Sequence, residues 1–186
     1  MQMGIGRLGN PSLILKRKFR YTLSIAWPGG ADIPQWYVKV AARPQLEIDE
    51  VELNFLNGVD WVPGKGRWQP ITITYIDAAT SELGPLYSWI ATVYDFTQQN
   101  PQDHLPMSER PGYRGTATLS MWDGCGTELE RWQLLNCWPQ SVNFGDLDYS
   151  NSEEATIELT MRYSQVQYIA NPFCGPSIVA NCQGCA

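Results

Sequence analysis

Apolar and polar residues alternate with period two along several short stretches of the chain. Phe19, Tyr21, Leu23 and Ile25 stand against Arg20, Thr22, Ser24 and Ala26, the pattern of a strand with one buried face. Trp27-Pro28-Gly29-Gly30 ends it, because proline cannot donate to a ladder and glycine weakens one. A second strand is predicted over residues 36–42, and Pro44 separates it from a third over 46–56. The third places Val51, Leu53 and Phe55 on a core face and Glu50, Glu52 and Asn54 on an acidic one. Asn57-Gly58 and Pro63-Gly64 predict turns, and a fourth strand follows over 68–76, with Ile71, Ile73 and Tyr75 opposed to Thr72 and Thr74.

The period then changes. Leu83, Leu86, Tyr87, Ile90, Val93 and Tyr94 recur at steps of three and four, which predicts a helix with one apolar stripe and Pro85 in its first turn. Residues 97–112 hold three prolines and no period, and read as a long exposed loop. Strands return over 116–121, then Asp123-Gly124 offers a hairpin turn before a strand over 129–138. The clearest alternation runs from Ala155 to Ser164. The predicted fold is mainly β, a β-sandwich or open barrel of about seven strands with one α-helix covering an edge or end.

Composition narrows the function. The 186 residues suit one domain with ordered arms, and 44% hydrophobic residues against 17% charged ones favour a folded core. Eight Trp, 16 Gly and 13 Pro fit short strands with tight connections. A net charge of −6 argues against a surface that grips phosphates. Lys16, Arg17, Lys18 and Arg20 form the one basic cluster, read as a solvated arm or a subunit salt-bridge strip. No stretch reaches the roughly 20 apolar residues of a membrane span, and Met1-Gln-Met-Gly-Ile-Gly lacks the pattern of a secretory signal, so folding in a cytoplasm is expected.

Each motif with catalytic or cofactor chemistry lacks its context. Gly4-Ile5-Gly6-Arg7-Leu8-Gly9 matches the dinucleotide fingerprint, yet no strand precedes it and Asn10-Pro11 stands where a helix should start. Pro63-Gly64-Lys65-Gly66 lacks the spacing of a phosphate loop. Asp146-Leu147-Asp148 opens like a calcium loop, but Asn151 and Ile157 replace its glycine and its bidentate glutamate. His104, the sole histidine, has no nucleophile motif near it and reads as a surface residue. Glu47 with Asp49, or Glu153 with Glu154, offers paired carboxylates, and abundant Trp suits sugar stacking, so a carbohydrate-binding β-sandwich stays open as an alternative. Cys182 and Cys185 lack the second pair that a structural zinc site needs. No enzyme activity, metal or cofactor is therefore expected.

Four segments, in order, resemble one family. Trp132-Gln-Leu-Leu-Asn136-Cys137-Trp138-Pro139 is similar to the W-x-x-x-N-A-W-P element of the tail-tube proteins of contractile-tailed, T-even-like bacteriophages (myoviruses). Leu119 to Gly126, with Asp123 and Gly124, resembles that family's strand ending in an Asp-x-x-Gly turn. Pro63-Gly64 followed by Trp68 resembles its L-P-G-x-x-x-[YW] segment, and Gly145-Asp146-Leu147-Asp148 with the strand to Tyr163 parallels its closing pattern. The resemblance spans residues 19–169. Cys137 and Cys125 depart from the pattern, as does the Cys-rich segment after Pro172.

The resemblance implies a structural virion protein with an N-terminal arm (1–16), a tail-tube β domain (17–170) and a Cys-rich C-terminal tail (171–186). It implies hexameric rings that share a continuous inner β-barrel and stack into a tube through which phage DNA passes. Expected partners are further copies, the tail sheath protein, baseplate and tail-terminator proteins, and the tape-measure protein and DNA held in the lumen without specific binding. A tube initiator or terminator, or a secretion tube of the same fold, is the nearest alternative. Six chains of −6 give −36 per ring, and Glu47, Asp49, Glu50 and Glu52 are candidates to face a repulsive lumen, against an ordinary solvated strand. Cys174, Cys182 and Cys185 are candidates to bridge neighbouring subunits by disulfides, with Cys125 and Cys137 either joining them or remaining partly buried thiols.

Overall fold

The computed structural model describes residues 16–94, 96, 112–150 and 152–170. The proposed dinucleotide motif, most of the 97–112 loop with His104, and Cys174, Cys182 and Cys185 lie outside the described residues. Nine strands and one α-helix are present among those described: β1 (Tyr21–Ala26), β2 (Val38–Ala41), β3 (Leu46–Phe55), β4 (Gly58–Trp68), β5 (Ile71–Ile76), α1 (Gly84–Val93), β6 (Gly115–Trp122), β7 (Glu128–Asn143), β8 (Thr156–Arg162) and β9 (Gln165–Ala170).

Seven strands form one antiparallel sheet in the order β1-β6-β7-β8-β5-β2, with β9 also paired to β7. The sheet has two limbs, because β7 serves both. Its first half pairs with β6 on one side and β9 on the other, and its second half pairs with β8. The change occurs at Asn136, which has φ of 56° and is the extra residue between the pairs Gly115–Cys137 and Thr116–Leu135. This is a bulge with its extra residue in the left-handed region, where asparagine is tolerated far better than most L-residues. It resets the alternation, so Leu134 and Cys137, three apart, are both fully buried. Opposite, a Cβ on Gly115 would meet the Ala26 carbonyl oxygen at 2.7 Å, so only glycine fits there.

The two limbs enclose one core. Leu23, Ile25, Ala117, Leu119 and Leu134 from the first meet Ile71, Ile73, Tyr75, Ile157, Leu159 and Met161 from the second. Helix α1 closes an end with Leu86, Trp89 and Ile90, and the Trp89 indole N–H donates to the Tyr113 carbonyl at 2.8 Å, which satisfies its only polar atom. Trp89 is off the stripe that the periodicity picks out, whereas Tyr94 is on it and is exposed.

Three expectations need correction. Phe19 is exposed, because a turn from Arg17 to Arg20 precedes β1. Pro63-Gly64 is no turn: it sits inside β4, at a bulge opposite Asp49, where the missing proline N–H breaks no regular ladder. Val51, Leu53 and Phe55 face no core. They lie on a two-stranded ribbon of β3 and β4 and are 49%, 42% and 65% exposed.

The left-handed corner generates a test. Asn136→Ala should destabilise the fold by about 1–2 kcal/mol, whereas Asn136→Gly should be near neutral. Thermal midpoints from near-ultraviolet circular dichroism of the three proteins check the order.

Candidate assembly surfaces

The first limb, β1-β6-β7-β9, has two unlike faces. Away from the core, β1 presents Thr22 and Ser24, β6 presents Thr116, Thr118 and Ser120, β7 presents Gln133, and β9 presents Gln165 and Gln167, as the register requires. Within these four strands the charged side chains on this face are Glu128 and Arg131, joined to each other with Nε to Oε1 at 2.8 Å. Hydrogen bonds from Arg131 lead in pulling the Glu128 carboxyl below its ordinary value, against the opposing effect of burial. The Ser120 hydroxyl donates to the same carboxylate at 2.6 Å. The surface is therefore hydroxyl- and amide-rich and neutral in sum.

Both outer strands of this limb, Tyr-Thr-Leu-Ser-Ile-Ala in β1 and Gln-Val-Gln-Tyr-Ile-Ala in β9, contain no charged residue. Among the described residues, the free side of β1 carries only the Ile25–Ile33 bridge, and β9 pairs only with β7. Monomeric proteins blunt such edges with lysine, proline or bulges. Here none of those devices is present within the two strands.

The ribbon is a second unsatisfied surface. Register places Val51, Leu53, Phe55 and Val62 with Asp60 on one face, and Glu50, Glu52 and Asn54 with Val59 and Trp61 on the other. Trp61 is 55% exposed. The four candidate acids all lie on this ribbon: Glu47 accepts from Gln69, Asp49 pairs with Arg67 at 3.2 Å, and Glu50 and Glu52 point from the acidic face. They are brought together with one another, but not with the hydroxyl and amide face. Neither carboxylate pair considered for glycosidase chemistry flanks a cleft: Glu47 and Asp49 are on the ribbon, and Glu154 binds Lys39 at 2.7 Å on the surface.

The residues shared with the family element organise the sheet. Asp123 Oδ1 accepts from the backbone N–H groups of Cys125 at 2.7 Å and Thr127 at 2.8 Å, which builds the β6–β7 turn that also holds Gly124. The Trp132 ring lies 4.6 Å from that of Tyr168, tying β9 to β7. Asn136 makes the corner, Trp138 pairs with Arg162, and buried Pro139 precedes a second bulge. Trp68 ends β4 with its ring 6.3 Å from Tyr163, whose hydroxyl donates to the Gln69 carbonyl at 2.6 Å. Pro63 and Gly64 shape the ribbon, where a Cβ on Gly64 would crowd the Asp49 carbonyl oxygen at 3.0 Å.

Glu130 was not singled out by the sequence. It is 3% exposed and is clasped by Lys16 and Arg43 from two separate segments. Burial raises its affinity for a proton, but Lys16, the Trp132 indole N–H and Arg43 together outweigh this and hold the carboxyl below its ordinary value. The pattern gave one signal: a lone Glu on the apolar side of an alternating strand.

Two predictions follow from these groups. Glu130→Gln should lose about 1–3 kcal/mol of stability at neutral pH. Because the folded carboxyl titrates below its unfolded value, that contribution is complete above the unfolded range and fades as pH falls through the folded one. Urea unfolding at a series of pH values should show the variant and parent converging in acid. The cysteines divide similarly. Cys137 is buried and not joined to Cys125, which is exposed in the turn, and burial pushes the Cys137 thiol up to about 12. At neutral pH, peptide mass mapping after alkylation should find Cys125 modified in the folded protein and Cys137 only after unfolding.

Solved structures of similar fold belong to contractile injection machines. The chain aligns with the tube-terminating cap of the anti-feeding prophage at a TM-score of 0.65 and 18% identity, covering 90% of this chain and 99% of that one. It aligns with a chain of the extracellular contractile injection system PVC sheath/tube terminator at 0.63 and 19%, covering 86% and 99%. For the PVC sheath-tube complex in the extended state the values are 0.61 and 19%, with 91% and 99% covered. No curated protein sequence matches significantly. The family model of the T4-like virus tail tube protein gp19 matches residues 17–167, from just after Lys16 into β9, and the chain is a structural protein of that T4-like tail tube family rather than an enzyme.

Proposed function

We propose that this chain forms hexameric rings that stack into the inner tail tube of a contractile phage-like particle. The observation that carries this reading is the ribbon of β3 and β4, which with its turn holds nine of the nineteen large hydrophobic residues exposed among the described residues. A two-stranded ribbon has no stability of its own in water, so such an arm needs a surface on another molecule. The uncharged edges β1 and β9 support lateral pairing, β9 of one copy beside β1 of the next, which turns the first limb into part of a continuous barrel. Such a contact uses different surfaces on the two partners and closes into a ring when the rotation permits.

In that arrangement the hydroxyl and amide face lines the channel. Its two charges cancel, so DNA passes because the wall offers no cations for phosphates to bind. Glu47, Asp49, Glu50 and Glu52 then serve the stacking arm in place of the lumen. The outer surface meets the sheath, and the tube ends meet baseplate and terminator proteins; tape-measure protein and DNA occupy the lumen, and assembly takes place in the bacterial cytoplasm. Cys174, Cys182 and Cys185 are proposed to bridge neighbouring copies by disulfides in released particles.

Negative-stain microscopy of the purified protein should show long hollow tubes. Isolated rings would instead mark an initiator or terminator, and persistent monomers would overturn the reading. Each Val or Leu buried on stacking contributes about 1.5–3 kcal/mol. Val51→Asp with Leu53→Asp should therefore leave the fold intact and weaken stacking at least ~100-fold, measured by sedimentation velocity.

A further inference from the structure

Glycine after asparagine or aspartate leaves its backbone nitrogen unhindered toward the side-chain carbonyl carbon that precedes it, so a cyclic imide can close there. Among the described residues the chain has two such pairs, Asn57-Gly58 at the tip of the ribbon and Asp123-Gly124 in the β6–β7 turn. Their surroundings differ. Asp123 Oδ1 is held by the N–H groups of Cys125 and Thr127 at 2.7 and 2.8 Å, and the Asp123 N–H donates to the Thr127 carbonyl at 2.9 Å. The Arg20 guanidinium covers Gly124, where a Cβ would come within 2.8 Å of it. Closing a ring at Asp123 would first have to dismantle this turn.

Nothing comparable holds Asn57. It forms with Leu56 the two-residue loop between Phe55 and Gly58, which face each other across the hairpin, and both loop residues are exposed. A Cβ on Gly58 would meet nothing within 4 Å. The side-chain hydrogen bonds and ion pairs of the ribbon join Asp60 to the Trp61 N–H, Glu47 to Gln69 and Asp49 to Arg67, and none among the described residues involves Asn57. The favoured two-residue hairpin loops match strand twist with one or both central residues at positive φ. Leu56 and Asn57 lack that match too, since Asn136 is the one non-glycine residue with positive φ among those described.

We infer that Asn57 is a self-modification site of the folded chain, at which the Gly58 backbone nitrogen displaces the side-chain amide. The Gly58 nitrogen gives up its proton and bonds to Asn57 Cγ, the bond from Cγ to Nδ2 breaks, and Nδ2 leaves as ammonia with a proton returned by water. Water then opens the cyclic imide at either carbonyl, leaving aspartate or isoaspartate. Because the Gly58 nitrogen must lose its proton first, the reaction quickens as pH rises. Either product takes the formal charge of residues 46–68, which hold five acids against Lys65 and Arg67, from −3 to −4. Isoaspartate also lengthens the backbone of the loop by a methylene, and loop length is what fixes the register of a hairpin.

The inference does not depend on the tube reading, and ageing of the full-length chain tests it. Folded protein is kept in mildly alkaline buffer, sampled over days, and read by isoelectric focusing and peptide mass mapping. The parent should develop a more acidic band, sooner at higher pH, and its Asn57 peptide should gain the mass difference between oxygen and NH as two isomers. Asn57→Gln should lose that band. Gly58→Ala should lose most of it while melting as the parent does, because the added methyl has open space around it. An acidic band equally strong in Asn57→Gln, or isoaspartate at Asp123 as early as at Asn57, overturns the inference. A parent that stays unmodified is compared with the Val51→Asp, Leu53→Asp chain, whose ribbon remains in water. Modification in that chain alone upholds the site and shows that assembly covers it; modification in neither overturns the inference and leaves the tube reading untouched.

Discussion

One backbone corner governs the arrangement of this molecule. A sixteen-residue strand cannot stay in one flat sheet around a core of this size, and β7 solves the problem by turning at Asn136. The left-handed residue adds one position to β7 without adding one to β6, so the strand leaves β6 and takes up β8 while continuing to direct side chains inward. Gly115 opposite lets the backbones of β6 and β1 come close enough for this to happen. The two limbs, the enclosed core and the helix at its end all depend on that change of partner. So do the surfaces left over, since a sheet bent this way ends in β1, β9 and β2 as edge strands, each paired on one side only among the described residues.

Burial then separates the molecule into a satisfied part and an unsatisfied part. Inside, three buried or half-buried polar groups have partners: the Trp89 indole N–H, the Tyr163 hydroxyl and the Cys137 thiol each reach a carbonyl oxygen. Glu130 is the one buried charge of note, and two cations from different segments hold it. Such a clasp is costly to leave half-made, so it ties the segment before β1 and the end of β2 to β7. Outside, the ribbon and the uncharged edges remain. Phe55 and Trp61 stay exposed there, and contiguous exposed apolar surface of this kind marks an interaction site.

Much of this was legible in the alternation of residues. All seven predicted strands overlap observed ones, and the helix begins within a residue of its apolar stripe, because core packing imposes a strict period on whichever residues face it. The ribbon was legible as a strand and misread in its environment. Alternation reports that one face avoids water, and Val51, Leu53 and Phe55 satisfy it whether the cover is the same chain or another copy. Strand β4 was missed because Pro63, Gly64 and Gly66 look like turn residues when the bulge that uses them is unseen. Strand β9 follows β8 with no loop signal between them, since Ser164 turns the corner while still donating to the Leu135 carbonyl at 3.0 Å. Glu130 was invisible for a different reason. Its partners, Lys16 and Arg43, are far from it in sequence, and only the seam between β1 and β2 brings them together.

The distribution of charge carries the last step. A net charge of −6 taken as a bulk property points to a repulsive channel, but the charges are not where that idea needs them. The strand face richest in Thr, Ser and Gln holds one acid and one base that neutralise each other, while Glu47, Asp49, Glu50 and Glu52 gather on the ribbon. Elsewhere opposite charges find partners within the chain, Asp49 with Arg67, Glu154 with Lys39, and Glu130 with Lys16 and Arg43. A neutral, well-hydrated face meanwhile binds neither phosphates nor their counterions, and that is what a passage for a polyanion requires. On the proposed tube reading, the acidity of the chain belongs to its contacts with further copies, and the channel wall is defined by the charges it lacks.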